Sequence, residues 1–164
     1  MSSLTIRQFP DPLLRKLSAP IIKLDRSIAS FVERLIELMR KQPGGIGIAA
    51  PQVGVMNPIA IVDVSSKVPG TRLHILINPV LIHVEDGKVF REGCMSLPDF
   101  TANVKRADRV TVKFMDLKGK MQELAAEGLE ARCIQHEVDH LRGILFVDRV
   151  VSLRSDVFRR KKYL

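Results

Sequence analysis

Tryptophan is absent, tyrosine occurs once, at Tyr163, and aromatic residues make up only 5% of the chain. That leaves little ring surface on which unpaired bases could stack, which argues against sequence-specific recognition of nucleic acid. Cysteine occurs twice, too few for a disulfide framework and in keeping with a reducing compartment. No apolar run approaches the roughly 20 residues that cross a bilayer. The opening Met1-Ser2-Ser3-Leu4-Thr5-Ile6-Arg7-Gln8-Phe9-Pro10 lacks a signal-peptide core. The expectation is a soluble, cytoplasmic protein with no membrane partner. Repeats and low-complexity tracts are missing too, and a hydrophobic content of 46% supplies one core. A single domain, 1–164, is expected.

Negative charge is the scarcer sign, and the formal net charge is +8. Part of the excess gathers in Arg154, Arg159, Arg160, Lys161 and Lys162, on a segment that reads as a basic helix from about Ser152. Such a helix either confers solubility or meets a polyanion such as RNA.

Apolar residues at Ile28, Phe31, Val32, Leu35, Leu38 and Met39 recur at helical spacing, with Asp25 or Ser27 placed to cap them. Pro43-Gly44-Gly45 stops that helix and opens the segment Gly45-Ile46-Gly47-Ile48-Ala49-Ala50-Pro51-Gln52. Gly45 and Gly47 there allow the backbone close to a ligand. β texture follows in 59–64, 73–78 and 80–84, with Pro79 marking a break or an edge. Asp86-Gly87 reads as a hairpin turn into 88–91, which delivers Glu92-Gly93-Cys94-Met95-Ser96 at a strand end. Further strands are expected at 109–115 and 120–125, then a helix from Gly128 to about Leu141 with Gly143 as its stop. Little of that helix is polar in circumference, which predicts cover on several sides.

This helix carries Gln135-His136-Glu137-Val138-Asp139-His140, an H-E-x-x-H sequence. On a helix, residues four apart share a face, so both imidazoles can reach one ion while the intervening carboxylate stands beside it. Glu137 can then take a proton from water and return it to a leaving amine. Two histidines make an incomplete site. Cys94, in its Gly-flanked segment, is the preferred third ligand, as thiolate, against the plainer reading of a buried core cysteine. That donor set suits Fe(II), Zn(II), Ni(II) or Co(II), and affinity order does not choose among them. Cys133, three residues before His136, invites a disulfide to Cys94 or a fourth ligand. A fourth protein ligand would close the site to water, so a pocket-lining or core thiol is preferred. Asp139 is expected to pair with Arg106, and His74 and His83 read as ordinary sheet residues.

In their order and spacing, and across essentially the whole chain, the three segments resemble those of the peptide deformylase family. The resemblance implies an α+β fold of mixed and antiparallel sheets around a central helix bearing the histidines. It implies metal ligands Cys94, His136 and His140, Glu137 as general acid and base, and Gln52 with the Met95 backbone N–H as donors to an oxyanion. A methionine side chain would then need an apolar slot, for which Ile46, Phe90, Leu129, Cys133 and the ring face of His136 are the candidates, with Gly45 and Gly47 letting the substrate backbone lie close. The implied activity is removal of the N-formyl group from formyl-methionyl nascent peptides, releasing formate. The implied cofactor is one divalent metal, usually Fe(II), with Zn, Ni or Co able to substitute. The basic tail resembles one that docks on the ribosome. Met95 stands where leucine is commoner, Thr101 where members carry a substrate-holding arginine, and Arg132 where some carry an apolar residue. Two rival readings are an H-E-x-x-H metallopeptidase, which the upstream cysteine ligand disfavours, and a non-catalytic formyl-peptide-binding module, which Glu137 and Gln52 disfavour.

Overall fold

The Asp25 carboxylate accepts hydrogen bonds from the N–H groups of Ser27 and Ile28, at 2.9 and 3.2 Å. It thereby caps the first long helix, α1 (Arg26–Lys41). A computed structural model describes residues 3–161 of the chain. Beyond α1 the order is β1 (Gly47–Ala49), β2 (Ile59–Val62), β3 (His74–Cys94), β4 (Leu97–Met115) and β5 (Met121–Glu127). The helix α2 (Gly128–Leu141) follows, then a four-residue α3 (Leu153–Asp156) and β6 (Val157–Arg159). Three 3-10 turns lie at Pro12–Arg15, Ala50–Val53 and Phe146–Arg149. Among the described residues no helix is long and apolar enough to cross a membrane.

The strands form one sheet in the order β1-β2-β3-β4-β5, with β6 added on β4. Alternation along β2 shows how it is layered. Ile59 and Ile61 pack with Val32, Leu35 and Met39 of α1, whereas Ala60 and Val62 pack with Ile134, Val138 and Leu141 of α2. Side chains of a strand point to opposite faces in turn, so α1 covers one face and α2 the other. A strand buried on both faces reads as an unbroken apolar run. A third cluster, Leu14, Cys94, Leu97, Ala102, Val104, Leu145 and Phe146, packs the far end of the β3–β4 hairpin.

The α+β class is as expected, but the mixed sheets are not: every strand pairing among the described residues is antiparallel. The hairpin turn read at Asp86-Gly87 is also corrected. β3 runs straight through it, with Glu85 opposite Arg109 and Gly87 opposite Ala107. The chain turns instead at Met95-Ser96, between the paired Cys94 and Leu97. The break expected at Pro79 is present as a register shift between Ile77 and Val80.

The basic C-terminal helix is corrected as well. Only residues 153–156 are helical, and Val157–Arg159 form β6, Val157 opposite Ala102 and Phe158 opposite Thr101. β5 pairs only with residues 109–115 of β4, leaving the edge near 100–102 with unmatched backbone groups. Val157 and Phe158 have the β-branched and aromatic side chains suited to that edge. Lys162, Tyr163 and Leu164 lie outside the described residues.

Candidate active site

α2 is buried along eleven of its fourteen residues, and its His136 and His140 face the tight hairpin end that carries Cys94. The Cys94 Sγ lies 3.2 Å from His140 Nε2, and the two Nε2 atoms are 3.2 Å apart. The ligand atoms of all three residues fall within 4.8 Å of one another. Nitrogens bound tetrahedrally at zinc-like distances stand about 3.3 Å apart, so this spacing fits one small ion. The other ring nitrogen of His136 is taken by Glu92, a contact that turns Nε2 toward the cluster. Phe146 stacks behind the same ring at 6.3 Å between centroids.

Burial pushes the Cys94 thiol up, but His140 and His136 beside it outweigh that and hold it well below its ordinary value, as thiolate. Burial depresses His136, and the Cys94 thiolate with Glu92 overrides it, so the imidazole is raised. Cys133 behaves oppositely. Burial, reinforced by Glu137, pushes its thiol well up, and the sulfur donates to the Ile46 carbonyl at 3.4 Å. A neutral thiol turned to a carbonyl is a core and pocket residue, and both cysteines are free.

Glu137 is raised to about 7 by burial, which His136 and His140 only partly offset. Its Oε2 has no hydrogen-bond partner among the described residues. Gly47 makes room for it: a Cβ there would stand 2.5 Å from Glu137 Oε1 and 2.7 Å from Cys133 Sγ. Gln52 sits in the 3-10 turn after β1, where its Oε1 accepts from the Ala49 N–H at 2.9 Å. That bond fixes which way the amide points, so Nε2 faces the site, 3.1 Å from Ser96 Oγ and 3.6 Å from Cys94 Sγ. The N-terminal arm ties both segments together, Arg7 N–H to the Gln52 carbonyl at 2.6 Å and Phe9 N–H to the Ser96 carbonyl at 2.8 Å. Met95 packs against the core cluster that α1 shares with β1 and β2, and borders the same cleft.

The cleft has a volume of about 400 Å³, and Gly45, Ile46, Gly47, Phe90, Leu129 and Cys133 all line it, with Gln52, Glu137, Cys94 and His136 at its floor. His140 lies behind its wall. The sequence reading missed the polar scaffold beneath. Arg106 is buried between Glu92, at 2.7 and 3.0 Å, and Asp139, at 2.6 Å, and Arg149 grips Asp139 from the other side at 2.6 and 3.0 Å. Only the Arg106–Asp139 pair was expected. Glu92 stands two residues before Cys94 on a strand, hence on the same face, and that spacing was the available signal. His74 is more than a plain sheet residue, since its Nε2 lies 3.0 Å from Glu130 in a buried pair, while His83 is exposed beside Glu85. Lys67, Arg91 and Arg160 border the cleft with no signal in the sequence.

A buried thiolate and two imidazoles converging on one point, next to a carboxylate with a proton affinity near neutrality, define a metal-dependent hydrolase on an α+β scaffold. The chain belongs to the polypeptide deformylase family, whose model matches residues 3–156. A peptide deformylase of Thermodesulfovibrio yellowstonii is 42% identical over 98% of this chain and 97% of its own length. The crystal structure of the Thermotoga maritima peptide deformylase superposes with a TM-score of 0.85 at 37% identity, covering 93% of this chain and all of that one, 100%. That of Synechococcus elongatus, in complex with actinonin, gives 0.86 at 36% identity over 92% and 82% of the two chains. The activity is accordingly hydrolytic removal of the formyl group from nascent peptides.

Proposed function

We propose that deformylation takes place at a mononuclear centre held by Cys94, His136 and His140, within one catalytic domain spanning 1–164 that works in the cytoplasm. The observation that carries this is the convergence of those three ligand atoms within 4.8 Å under a cleft onto which Glu137 and Gln52 also open. When bound, a divalent ion supplies the Lewis acidity that makes water a nucleophile near neutral pH. Fe(II) is the ion we assign, as the family resemblance implies, with Zn, Ni or Co, which the thiolate-imidazole donor set suits equally, able to take its place.

The remaining work belongs to side chains. Glu137, poised at about 7, accepts the proton of the attacking water and later delivers it to the amine that leaves. The Gln52 amide and the Met95 N–H donate to the formyl oxygen as it becomes anionic. Such a preorganised donor is worth about 3 kcal/mol in the transition state. The methionine side chain enters the slot of Ile46, Phe90, Leu129 and Cys133, and Gly45 and Gly47 let the peptide backbone lie close. Glu92 keeps His136 in one orientation, and Arg106 keeps Glu92 in place. Contact with ribosomal RNA would run through the exposed Arg154, Arg159 and Lys161, and would weaken steeply with salt.

Anaerobic purification with metal analysis, followed by a formate-release assay on formyl-Met peptides, tests the reading. One metal per chain with formate release is expected, and Cys94→Ser should lose both together. Full metal content and activity in Cys94→Ser would refute the ligand set.

A further inference from the structure

The C-terminal segment returns to the cleft. β6 lies on β4 with Phe100 opposite Arg159, and the Arg160 N–H donates to the Asp99 carbonyl at 2.8 Å. This anchors the backbone just before and at Arg160, and its guanidinium then leans over Gly93. A Cβ at Gly93 would meet Arg160 Nη2 at 2.3 Å, so the bare backbone there leaves the guanidinium its place at the cleft wall.

Arg160 joins other cations around the opening. Arg91 stacks on Phe158 of β6 at 3.7 Å and donates to the neutral Asn103 and Thr101 side chains at 3.1 and 3.3 Å. Arg132 stacks on Phe90 at 3.6 Å. Its nearest carboxylate, Asp108 at 3.9 Å, is engaged more closely by Lys88 at 2.7 Å. Lys67 borders the same cleft. Among the described residues, no carboxylate forms an ion pair with Lys67, Arg91 or Arg160. The acids that line the cleft are Glu92 and Glu137, of which Glu92 is already held by Arg106 and His136. Among the described residues the opening therefore gathers Lys67, Arg91, Arg132 and Arg160 around a cleft whose own acids are Glu92 and Glu137.

We propose that Arg160, brought to the cleft by β6, is a specificity residue that binds a carboxylate on the peptide downstream of the formyl-methionine. The enzyme then prefers formyl-Met peptides with Asp or Glu in the next two positions and disfavours Lys or Arg there. This rests on the deformylase reading of the same site. An exposed ion pair contributes up to roughly a fivefold change in affinity, and attraction to the acid combines with repulsion of the base. An acidic-over-basic ratio of about tenfold in kcat/KM is expected, carried mainly by KM and collapsing at high salt.

The test uses metal-loaded full chain on formyl-Met-X-Ala-amide and formyl-Met-Ala-X-amide, with X as Glu, Gln or Lys, plus formyl-Met-Ala-Gln as the free acid. In Arg160→Gln the Glu-to-Lys ratio should fall about fivefold, in Arg160→Glu further, and Arg160→Lys should restore most of it. Because each ratio is taken within one variant, a partly unfolded preparation does not imitate the result. A preference confined to the free acid would support recognition of a carboxylate and assign it to the peptide terminus. An unchanged ratio in both Arg160→Gln and Arg160→Glu, with the Gln peptides still deformylated, overturns the proposal alone. Absence of formate release from every Gln peptide by the unmodified chain overturns the deformylase reading and the proposal with it.

Discussion

Replacing Arg106 with methionine keeps most of the side chain's volume and removes its charge. The guanidinium is 3% exposed and holds Glu92 by two bonds and Asp139 by one. Asp139 retains Arg149, but Glu92 is left with His136 alone in a largely buried place. Removing one partner of a buried pair costs about 3–5 kcal/mol, because the other charge stays behind uncompensated. The acidity of Glu92 gives an independent scale. Burial pushes it up, yet His136 and Arg106 hold it at about 2 against an ordinary 4.5, and that depression corresponds to about 3 kcal/mol shared between the two partners. Urea unfolding of the apo-protein should show a loss of about 3–5 kcal/mol in Arg106→Met, or a fall in Tm of about 6–20 °C for a chain of this size. Arg106→Met combined with Glu92→Gln should be less destabilised than the sum of the single changes. A single variant within 1 kcal/mol of the parent, or strict additivity in the double, would refute the account of Glu92 as a charge that needs Arg106.

Glu137→Gln preserves shape and removes the base, so metal content should stay at one per chain while kcat falls at least ~10²-fold; near-normal turnover would take the proton from Glu137. Gly47→Ala forces a methyl into the space of Glu137 and Cys133, and should lower kcat and cost about 1–3 kcal/mol in thermal unfolding, whereas unchanged values would show that the wall yields freely. Asp148 is pushed up by burial, but Arg15 and the Leu145 N–H outweigh this and lower it. Its stabilising effect is thus present above its ordinary 3.8 and disappears as pH falls through the depressed value. Asp148→Asn should be less stable than the parent at pH 7, by less than about 1 kcal/mol because both partners are well exposed, and the difference should shrink steadily as the pH falls below the ordinary carboxylate range. A difference that persists in acid would mean that the pair is not its source.

The two long helices and β2 were legible because their signals are local. α1 shows its cap and its buried Ile28, Val32, Leu35 and Met39 at helical spacing, and α2 ends at Leu141 as expected, two residues before the left-handed Gly143. The first half of β4 was not. Ala102, Val104 and Arg106 alternate inward, but an arginine in the third position breaks the pattern a reader counts. Asp86-Gly87 carries turn chemistry in a stretch of β3 that is exposed on both sides of it, so no apolar alternation argued against a turn. Asp86 does adopt φ 55°, the local conformation that the sequence suggests, without reversing the chain. β6 depends on an edge of β4 left open by a short β5, a fact about pairing that no window of sequence contains.

The same division runs through the site. His136, Glu137 and His140 are fixed relative to one another by helical period alone, and Cys94 was reached because a pair of histidines needs a third donor. What orients and surrounds them depends on charges meeting across the fold. Twenty-six lysines and arginines appear in the sequence only as an excess of +8. In the structure Arg106 lies buried between two carboxylates and Arg149 grips one of them from the surface. Arg160 reaches the cleft, where among the described residues no carboxylate pairs with it. A cation's consequence depends on where its counter-charge stands. That is why the meeting of Cys94, His136 and His140 could be anticipated from motifs, while the approach of Arg160 to the cleft could be read only from the path of the tail.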